Sequence, residues 1–317
     1  MSARNIIFIC GFPSSGTDLL KNVLNAHAEI HIGGEFPLLP SLAARRSPIV
    51  SADELIAVAR DIIGCDVHGN LERLELPSEL EGRCSFADVY VALLTSRQAT
   101  WYGNKTPQNS ENVDKLEQLF PGARYVLIVR DVRDVALSWR KKWGKDMLLC
   151  AHRWMQRMQR AIDLLESVAR DRYLVVSYED LLQDHRAVAL RICSFLGLPY
   201  DSSIDDFHEH ITEIVPGKLN YGQPVLAGNR NKWRHEMPEA TLGRLEEIAY
   251  PVLQRFGYQS AIGPGFRPIT LAEKMTGRVR DMLAMLFVGN RALGEVRVHQ
   301  WRSIKLELAK RFGRYRF

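Results

Sequence analysis

The chain has 317 residues, of which 46% are hydrophobic, and its formal net charge is +5. This length and apolar content are typical of a soluble globular protein with a sizeable core, which excludes a disordered chain. Five cysteines show no C-x-x-C pair and no metal-ligand spacing, so a reducing, cytoplasmic compartment is expected rather than a disulfide framework. No signal peptide is recognisable, and no apolar stretch approaches the roughly 20 residues of a membrane helix.

Short β-branched apolar runs alternate with longer helical patterns along the chain. The predicted strands are Ile6–Cys10, Trp101–Asn104, Tyr125–Arg130 and Tyr173–Ser177. The predicted helices are Asp18–Ala28, Ser51–Ile63, Ser110–Phe120, Asp134–Trp143, Cys150–Asp171 and Leu182–Leu196. This alternation predicts an α/β fold with a mostly parallel sheet flanked by helices.

The positive charge is concentrated in residues 268–317, which hold 11 Lys or Arg and 4 Asp or Glu. Apolar residues recur there at helical spacing, namely Trp301, Ile304, Leu308 and Phe312. Such a basic helix can lie peripherally on the inner face of an anionic membrane, or dock its apolar side on the main domain. Because the stretch AIGPGFRP at residues 261–268 is typical of a linker, we expect a main domain over residues 1–262 and a helical extension over residues 263–317.

Residues 11–18 read GFPSSGTD and follow the first predicted strand, as a phosphate-binding loop does. The two glycines have the P-loop spacing, but Thr17 and Asp18 occupy the positions of the usual lysine and magnesium ligand. Amides of Ser15, Gly16, Thr17 and Asp18 at a helix N-terminus can still hold an anion without a metal. An ordinary strand-to-helix turn is the competing interpretation.

A second candidate anion site, VRDVRDVALSW at residues 129–139, follows the third predicted strand. Arg130 leaves that strand where ligands of parallel sheets bind, and Ser138 lies two helical turns further on. The competing interpretation is a set of surface ion pairs that cap a helix and contribute little free energy.

Together the two segments resemble the sulfotransferases that use 3′-phosphoadenosine 5′-phosphosulfate (PAPS). The family's loop P-[RK]-S-G-T is similar to PSSGT at residues 13–17, and its Arg-x₇-Ser motif matches Arg130 and Ser138. Further stretches resemble tyrosylprotein sulfotransferases and their bacterial relatives in the same order: GGE at 33–35, GNKTP at 103–107, SYEDL at 177–181, FLGLP at 195–199 and NRNKWR at 229–234.

The resemblance implies the sulfotransferase fold, PAPS as cosubstrate without a metal, and in-line transfer to a hydroxyl group. It implies catalytic roles for Glu35 as base and Lys105 at the bridging oxygen, with His31 and His27 as rival bases. It implies that the cosubstrate is bound by Ser14, Ser15, Gly16, Thr17, Asp18, Arg130, Ser138, Lys142, Tyr178, Arg230 and Lys232. Trp233 is expected to anchor the loop that carries the last two.

Two positions depart from the family pattern. Ser14 stands where relatives carry Arg or Lys, which removes a cation from the reaction centre unless Lys105 or Lys21 replaces it. Asp18 adds a negative charge to the first turn of the phosphate-binding helix, where it repels a bound anion unless it points away.

Three functions therefore remain open: a PAPS-dependent sulfotransferase of the bacterial, tyrosylprotein- or carbohydrate-modifying kind, a non-catalytic nucleotide-binding protein of the same fold, and a P-loop kinase or NTPase. The expected partner is a hydroxylated acceptor, whether saccharide, lipid, peptide tyrosine or small molecule, with no nucleic acid. Oligomeric state is not predicted by the sequence.

Overall fold

The computed structural model of this chain describes residues 5–35, 98–168, 170–211 and 228–287. The predicted helix Ser51–Ile63 and the apolar pattern of residues 301–312 lie outside the described residues.

The described strands form one parallel sheet in the order β2-β3-β1-β4-β5. They are β1 Asn5–Gly11, β2 Ile30–Gly33, β3 Trp101–Lys105, β4 Arg124–Val129 and β5 Tyr173–Ser177. The central strand β1 is buried on both faces, which is why it reads as a continuous apolar run. Strand β2 was not predicted, because its four residues IHIG carry too little β-branched pattern to distinguish it from a loop.

Helices cover both faces of this sheet. They are α1 Thr17–Asn25, α2 Val113–Leu119, α3 Val132–Trp143, α4 Met147–Glu166, α5 Tyr178–Gln183, α6 His185–Leu196, α7 Trp233–Glu236, α8 Glu239–Arg255 and α9 Leu271–Phe287. The predicted helix Leu182–Leu196 is wrong at its start, because Asp184 separates α5 from α6. The Asp184 carboxylate caps α6 by accepting from the Ala187 N–H at 2.9 Å. Helix α8 was missed, and it contains Pro251.

Alternate side chains of β1 enter two separate cores. Phe8 packs with Tyr125 and with Trp154 of α4 on one face of the sheet, whereas Ile7 and Leu20 lie in the core on the other face. The predicted fold class, an α/β parallel sheet flanked by helices, is confirmed.

The segment 261–268 contains no helix or strand, but it is held against α8. The buried carboxylate of Glu246 accepts hydrogen bonds from the Ala261 N–H at 2.9 Å and from the Ser260 hydroxyl at 2.6 Å. The same carboxylate forms an ion pair with Arg133 at 2.6 Å, which connects this segment to α3. The predicted division of the chain at residue 262 stays a prediction.

Candidate active site

The five strands in the described residues end at one edge of the sheet, called the carboxyl edge below, and a predicted site residue lies at or just after the end of each. In sheet order these are Glu35 after β2, Lys105 at the end of β3, residues 12–18 after β1, Arg130 after β4 and Tyr178 after β5. Parallel pairing therefore brings together residues that are distant in sequence, at the edge where such sheets bind ligands.

A crevice is expected between β1 and β4, because the chain leaves these neighbouring strands toward opposite faces. Helix α1, which follows β1, packs in the core that contains Ile7, whereas α3, which follows β4, packs in the core that contains Phe8. Such a reversal is the topological switch point at which open α/β sheets bind ligands.

Residues 12–16, called the phosphate loop below, turn tightly between β1 and α1. The Ser15 N–H donates to the Phe12 carbonyl at 3.0 Å, and both Ser14 (φ 70°) and Gly16 (φ 88°) are left-handed. A Cβ at Gly16 would lie 2.2 Å from the ring of Tyr178, so only glycine fits there. The Ser15 hydroxyl is fully buried and has no hydrogen-bond partner.

The loop is also fixed from the β3 side. The Ser110 hydroxyl accepts from the Gly11 N–H at 2.8 Å and donates to the Gly11 carbonyl at 3.0 Å. Ser110 lies in a short 3₁₀ helix, Pro107–Glu111, that directly follows β3. The end of β1 is therefore held at a fixed position relative to Lys105.

Arg130 connects the phosphate loop to the segment before α7. Its guanidinium donates to the Ser14 carbonyl at 3.0 Å and to the Asn229 carbonyl at 3.1 Å, and it lies 4.3 Å over the ring of Tyr178. Asn229 in turn donates to the Tyr178 hydroxyl at 2.8 Å. Arg130 is 6% exposed, and its Nε has no partner although it is buried. Burial raises the pKa of Tyr178 against the opposing effect of Arg130, so the phenol is neutral at physiological pH.

Lys105 lies between two carboxylates at the other half of the edge. Its ammonium is 2.7 Å from Asp18 Oδ1 and 2.5 Å from Glu35 Oε1, and its side chain is 1% exposed. Burial alone lowers the pKa of Lys105, but the two carboxylates outweigh it and hold that pKa above its ordinary value. Lys105 is therefore a permanently charged group, and the carboxylate of Asp18 is directed to it.

The two rival bases lie elsewhere. His27 is buried before the start of β2, at the opposite edge of the sheet, where its Nδ1 accepts from the Glu29 N–H and its Nε2 therefore donates to the Pro199 carbonyl. His31 is the second residue of β2 and pairs in register with Tyr102 at the start of the strands. Neither position reaches the carboxyl edge as Glu35 does.

The remaining predicted residues lie in α3, in the segment before α7 and in α1. Ser138 is half-buried in α3, and Lys142 is exposed near the end of that helix. Arg230 donates to Gln183 Oε1 at 2.9 Å, and Lys232 is exposed before α7. Lys21, considered as a replacement cation, is buried in α1.

Trp233 anchors the segment 228–232, as predicted. Its ring is buried 3.8 Å from the Arg133 guanidinium, and its backbone N–H donates to Asp134 Oδ1 at 3.0 Å. Sequence reasoning missed two residues that organise the site, Ser110 and Asn229. Asn229 opens the NRNKWR stretch, but neither role is visible in the sequence because both depend on partners that are distant along the chain.

A family model described as the sulfotransferase family matches residues 6–202. The chain belongs to the sulfotransferase family. The predicted family and the predicted sulfotransferase activity class are therefore confirmed, and the matched region contains the phosphate loop, Lys105, Arg130 and Tyr178.

Curated relatives agree with this assignment. Protein-tyrosine sulfotransferase A of Caenorhabditis elegans is 26% identical over 81% of this chain and 68% of its own length. Protein-tyrosine sulfotransferase 2 of Gallus gallus is 27% identical over 82% of this chain and 71% of its own length. Among solved structures, the sulfotransferase domain from the curacin biosynthetic pathway has a TM-score of 0.57 at 19% identity, covering 81% of this chain and 98% of that domain. This last likeness shows the fold.

Proposed function

We propose that this protein transfers the sulfuryl group of PAPS to a hydroxyl group of an acceptor, without a metal ion. The nucleotide is bound across β1, β4 and β5, with its 5′-phosphosulfate in the phosphate loop and its 3′-phosphate at Arg130 and Ser138. The acceptor is bound on the β2 and β3 side, next to Glu35 and Lys105.

The observation that carries this proposal is a pair of unsatisfied donors at the crevice. The Ser15 hydroxyl and the Arg130 Nε are buried without partners, although buried polar groups are nearly always hydrogen-bonded. Both adjoin the phosphate loop, since Arg130 itself donates to the Ser14 carbonyl. An anionic ligand whose acceptor oxygens reach both groups fits these donors, together with the backbone N–H groups in the first turn of α1.

Glu35 is proposed as the general base. One carboxylate oxygen, Oε1, accepts from Lys105 at 2.5 Å, which orients the group and leaves Oε2 to take the acceptor's hydroxyl proton as oxygen attacks sulfur. Lys105 is proposed to donate a hydrogen bond to the bridging oxygen as the S–O bond breaks. This hydrogen bond stabilises the negative charge on the departing nucleotide.

The same geometry supports transfer without magnesium. Thr17 stands at the position of the P-loop lysine. Its buried methyl group packs against Gly11, where an added Cβ would lie 2.8 Å from that methyl. Asp18, at the usual metal-ligand position, is 2.7 Å from Lys105. A sulfuryl group carries less negative charge than a phosphoryl group, so amides and cationic side chains can stabilise its transfer.

A non-catalytic, nucleotide-binding function is the second candidate, because Ser14 supplies no cation to the reaction centre. The position of Lys105 favours catalysis, since its charge lies beside Asp18 in the first turn of α1 and next to the proposed base.

Calorimetric titration tests the nucleotide site. We expect 3′-phosphoadenosine 5′-phosphate to bind at micromolar or lower concentration without magnesium, and 5′-AMP to bind far more weakly. Binding of ATP only with magnesium would contradict the proposal and favour an NTPase.

Transfer is then measured with labelled PAPS, first on tyrosine-containing peptides, because the named relatives are protein-tyrosine sulfotransferases, and next on saccharide, lipid and small hydroxylated acceptors. Tight nucleotide binding with no transfer to any acceptor would favour the non-catalytic alternative.

A further inference from the structure

Helix α9 is fixed to the domain by one face. A Cβ on Gly277 would lie 3.1 Å from Leu149 Cβ, so the helix packs closely on α4. The buried carboxylate of Asp281 accepts from the Asp146 N–H at 2.8 Å and from Arg153 at 3.0 Å. The first turn of α9 is held by Glu273, which pairs with Arg244 at 2.7 Å. Hydrogen bonds from Arg244 lower the pKa of Glu273 to about 2, so this contact persists at physiological pH.

The opposite face of α9 exposes a row of large apolar side chains, called the apolar stripe below. It consists of Leu271 (76% exposed), Met275 (51%), Val279 (48%), Met282 (55%) and Leu283 (42%). At about 100° per residue, these five positions fall within about 120° of one side of the helix. In the described part of the chain, the other exposed large apolar residues are Leu190, Ile262 and Phe266, and the last two lie in the segment that leads into α9.

Basic residues border the apolar stripe, whereas the acidic residues of α9 are used internally. By helical position, Lys274 and Arg278 lie along one border. Arg280 lies along the other, where it is largely exposed but pairs with Asp146 at 3.0 Å. Glu273 and Asp281 lie on the docked side, in the contacts described above. The face that α9 presents outward is therefore apolar in the middle and positive at its borders.

We propose that the apolar stripe docks on an anionic phospholipid surface, with α9 lying in the membrane plane. This arrangement of an apolar face, basic borders and a fixed polar side is typical of interfacial helices. The sequence of residues 288–317 adds eight Lys or Arg and two Asp or Glu, and such basic segments are attracted to anionic headgroups. No helix in the described residues is long and apolar enough to cross a membrane.

Charge decides against two other occupants of the apolar stripe, which are a second copy of the chain and residues 288–317 of the same chain. A second copy of the chain would bring the basic borders of two stripes together, and residues 288–317 carry the same sign as those borders. An anionic bilayer satisfies both the apolar stripe and the positive charge around it.

The test is co-sedimentation of the full chain with phosphatidylcholine vesicles that contain or lack phosphatidylserine. The wild type is expected to bind the phosphatidylserine vesicles and to lose binding as salt is raised. The triple variant Met275→Gln, Val279→Gln, Met282→Gln is expected to bind about tenfold more weakly, because three exposed apolar side chains no longer enter the interface. Leu190→Gln is the matched control, since Leu190 is 54% exposed on α6, and its binding should equal that of the wild type.

Retained binding of 3′-phosphoadenosine 5′-phosphate shows that each variant is folded, and it keeps this test separate from the proposed activity. Equal sedimentation of the triple variant and the wild type would overturn the proposal and assign any binding to other basic residues. A concentration-dependent dimer in light scattering that the triple variant loses would also overturn it, in favour of a second copy.

Discussion

The two halves of the carboxyl edge solve the problem of buried polar groups in opposite ways. On the β1, β4 and β5 side, the Ser15 hydroxyl and the Arg130 Nε are buried without partners. On the β2 and β3 side, Lys105 is equally buried but has two carboxylate partners, Asp18 and Glu35. The first half offers buried donors to a ligand, whereas the buried ammonium of the second half is already paired within the protein.

This difference predicts how each half responds to a substrate. Unsatisfied buried donors cost roughly 1 to 3 kcal/mol each, and a bound anion removes that cost, so the first half gains affinity. In the second half an incoming group must share or exchange existing ion pairs, so little affinity is gained there. We therefore expect substitutions in the first half to change nucleotide affinity and substitutions in the second half to change the rate of transfer.

The largest expected effect is on the rate, in Glu35→Gln. Loss of a positioned base should lower kcat by roughly 10²- to 10⁴-fold, while the affinity for 3′-phosphoadenosine 5′-phosphate changes little. Transfer is measured with labelled PAPS and affinity by calorimetry. Glu29→Gln is the matched control, because Glu29 precedes the same strand at the opposite edge of the sheet and accepts from the Thr100 hydroxyl. Turnover like that of the wild type in Glu35→Gln would contradict the assignment of Glu35 as the base.

Arg130→Ala should abolish most nucleotide affinity. The guanidinium supplies charge-assisted hydrogen bonds worth roughly 1.5 to 3 kcal/mol each, so a loss of about 100-fold or more is expected for 3′-phosphoadenosine 5′-phosphate. The loss should be smaller for 5′-AMP, which lacks the 3′-phosphate. Arg186→Ala, at an exposed ion pair with Asp205, serves as the control. An equal loss for both nucleotides would argue that Arg130 acts on the loop through Ser14 rather than on the 3′-phosphate.

Ser15→Ala and Ser110→Ala should have opposite effects on the free protein. Removing the unpartnered Ser15 hydroxyl should leave the free energy of unfolding unchanged or slightly higher, yet weaken nucleotide binding by about 5- to 10-fold. Removing the Ser110 hydroxyl, which makes two hydrogen bonds to Gly11, should destabilise the protein by about 1 to 3 kcal/mol. Urea unfolding and calorimetry measure both effects. A Ser15→Ala variant that is as destabilised as Ser110→Ala would show that Ser15 has a structural role.

Asp18→Asn should have the smallest effect and tests the border between the halves. It removes a negative charge from the first turn of α1 and frees Lys105 from one partner, so anion affinity should rise by about 3- to 10-fold. Calorimetry with 3′-phosphoadenosine 5′-phosphate measures this gain. Weaker binding than in the wild type would mean that Asp18 positions Lys105 for the ligand.

The same variant has a defined pH dependence. The pKa of Lys105 is raised in the folded state, so its ion pairs contribute stability that is fully present below the ordinary lysine pKa and is lost as pH rises through the raised value. Asp18→Asn reduces that shift. Its destabilisation relative to the wild type should therefore be full at neutral pH and shrink only as pH rises toward the raised pKa of Lys105, as followed by urea unfolding.

Much of the nucleotide half could be predicted from the sequence because its signals are local. The apolar run of β1 and the two glycines that follow it identify a strand and a phosphate loop within residues 5–18. Arg130 stands directly after a strong strand, and its place at the carboxyl edge follows from parallel pairing. Strand β2 escaped prediction because four residues give no reliable period, and the Pro251 in α8 argues against a helix by local rules.

The sequence by itself determined the family, the parallel α/β fold and the places of the phosphate loop and Arg130 at the ends of predicted strands. Only the tertiary structure decided what the departures from the family pattern do. Asp18 is a liability beside an anion when considered alone, yet in the fold it pairs with Lys105, which lies far along the chain and carries Glu35 on its other side. The physical reason is that an ion pair depends on distance and burial, and neither is encoded in the local pattern around a single residue.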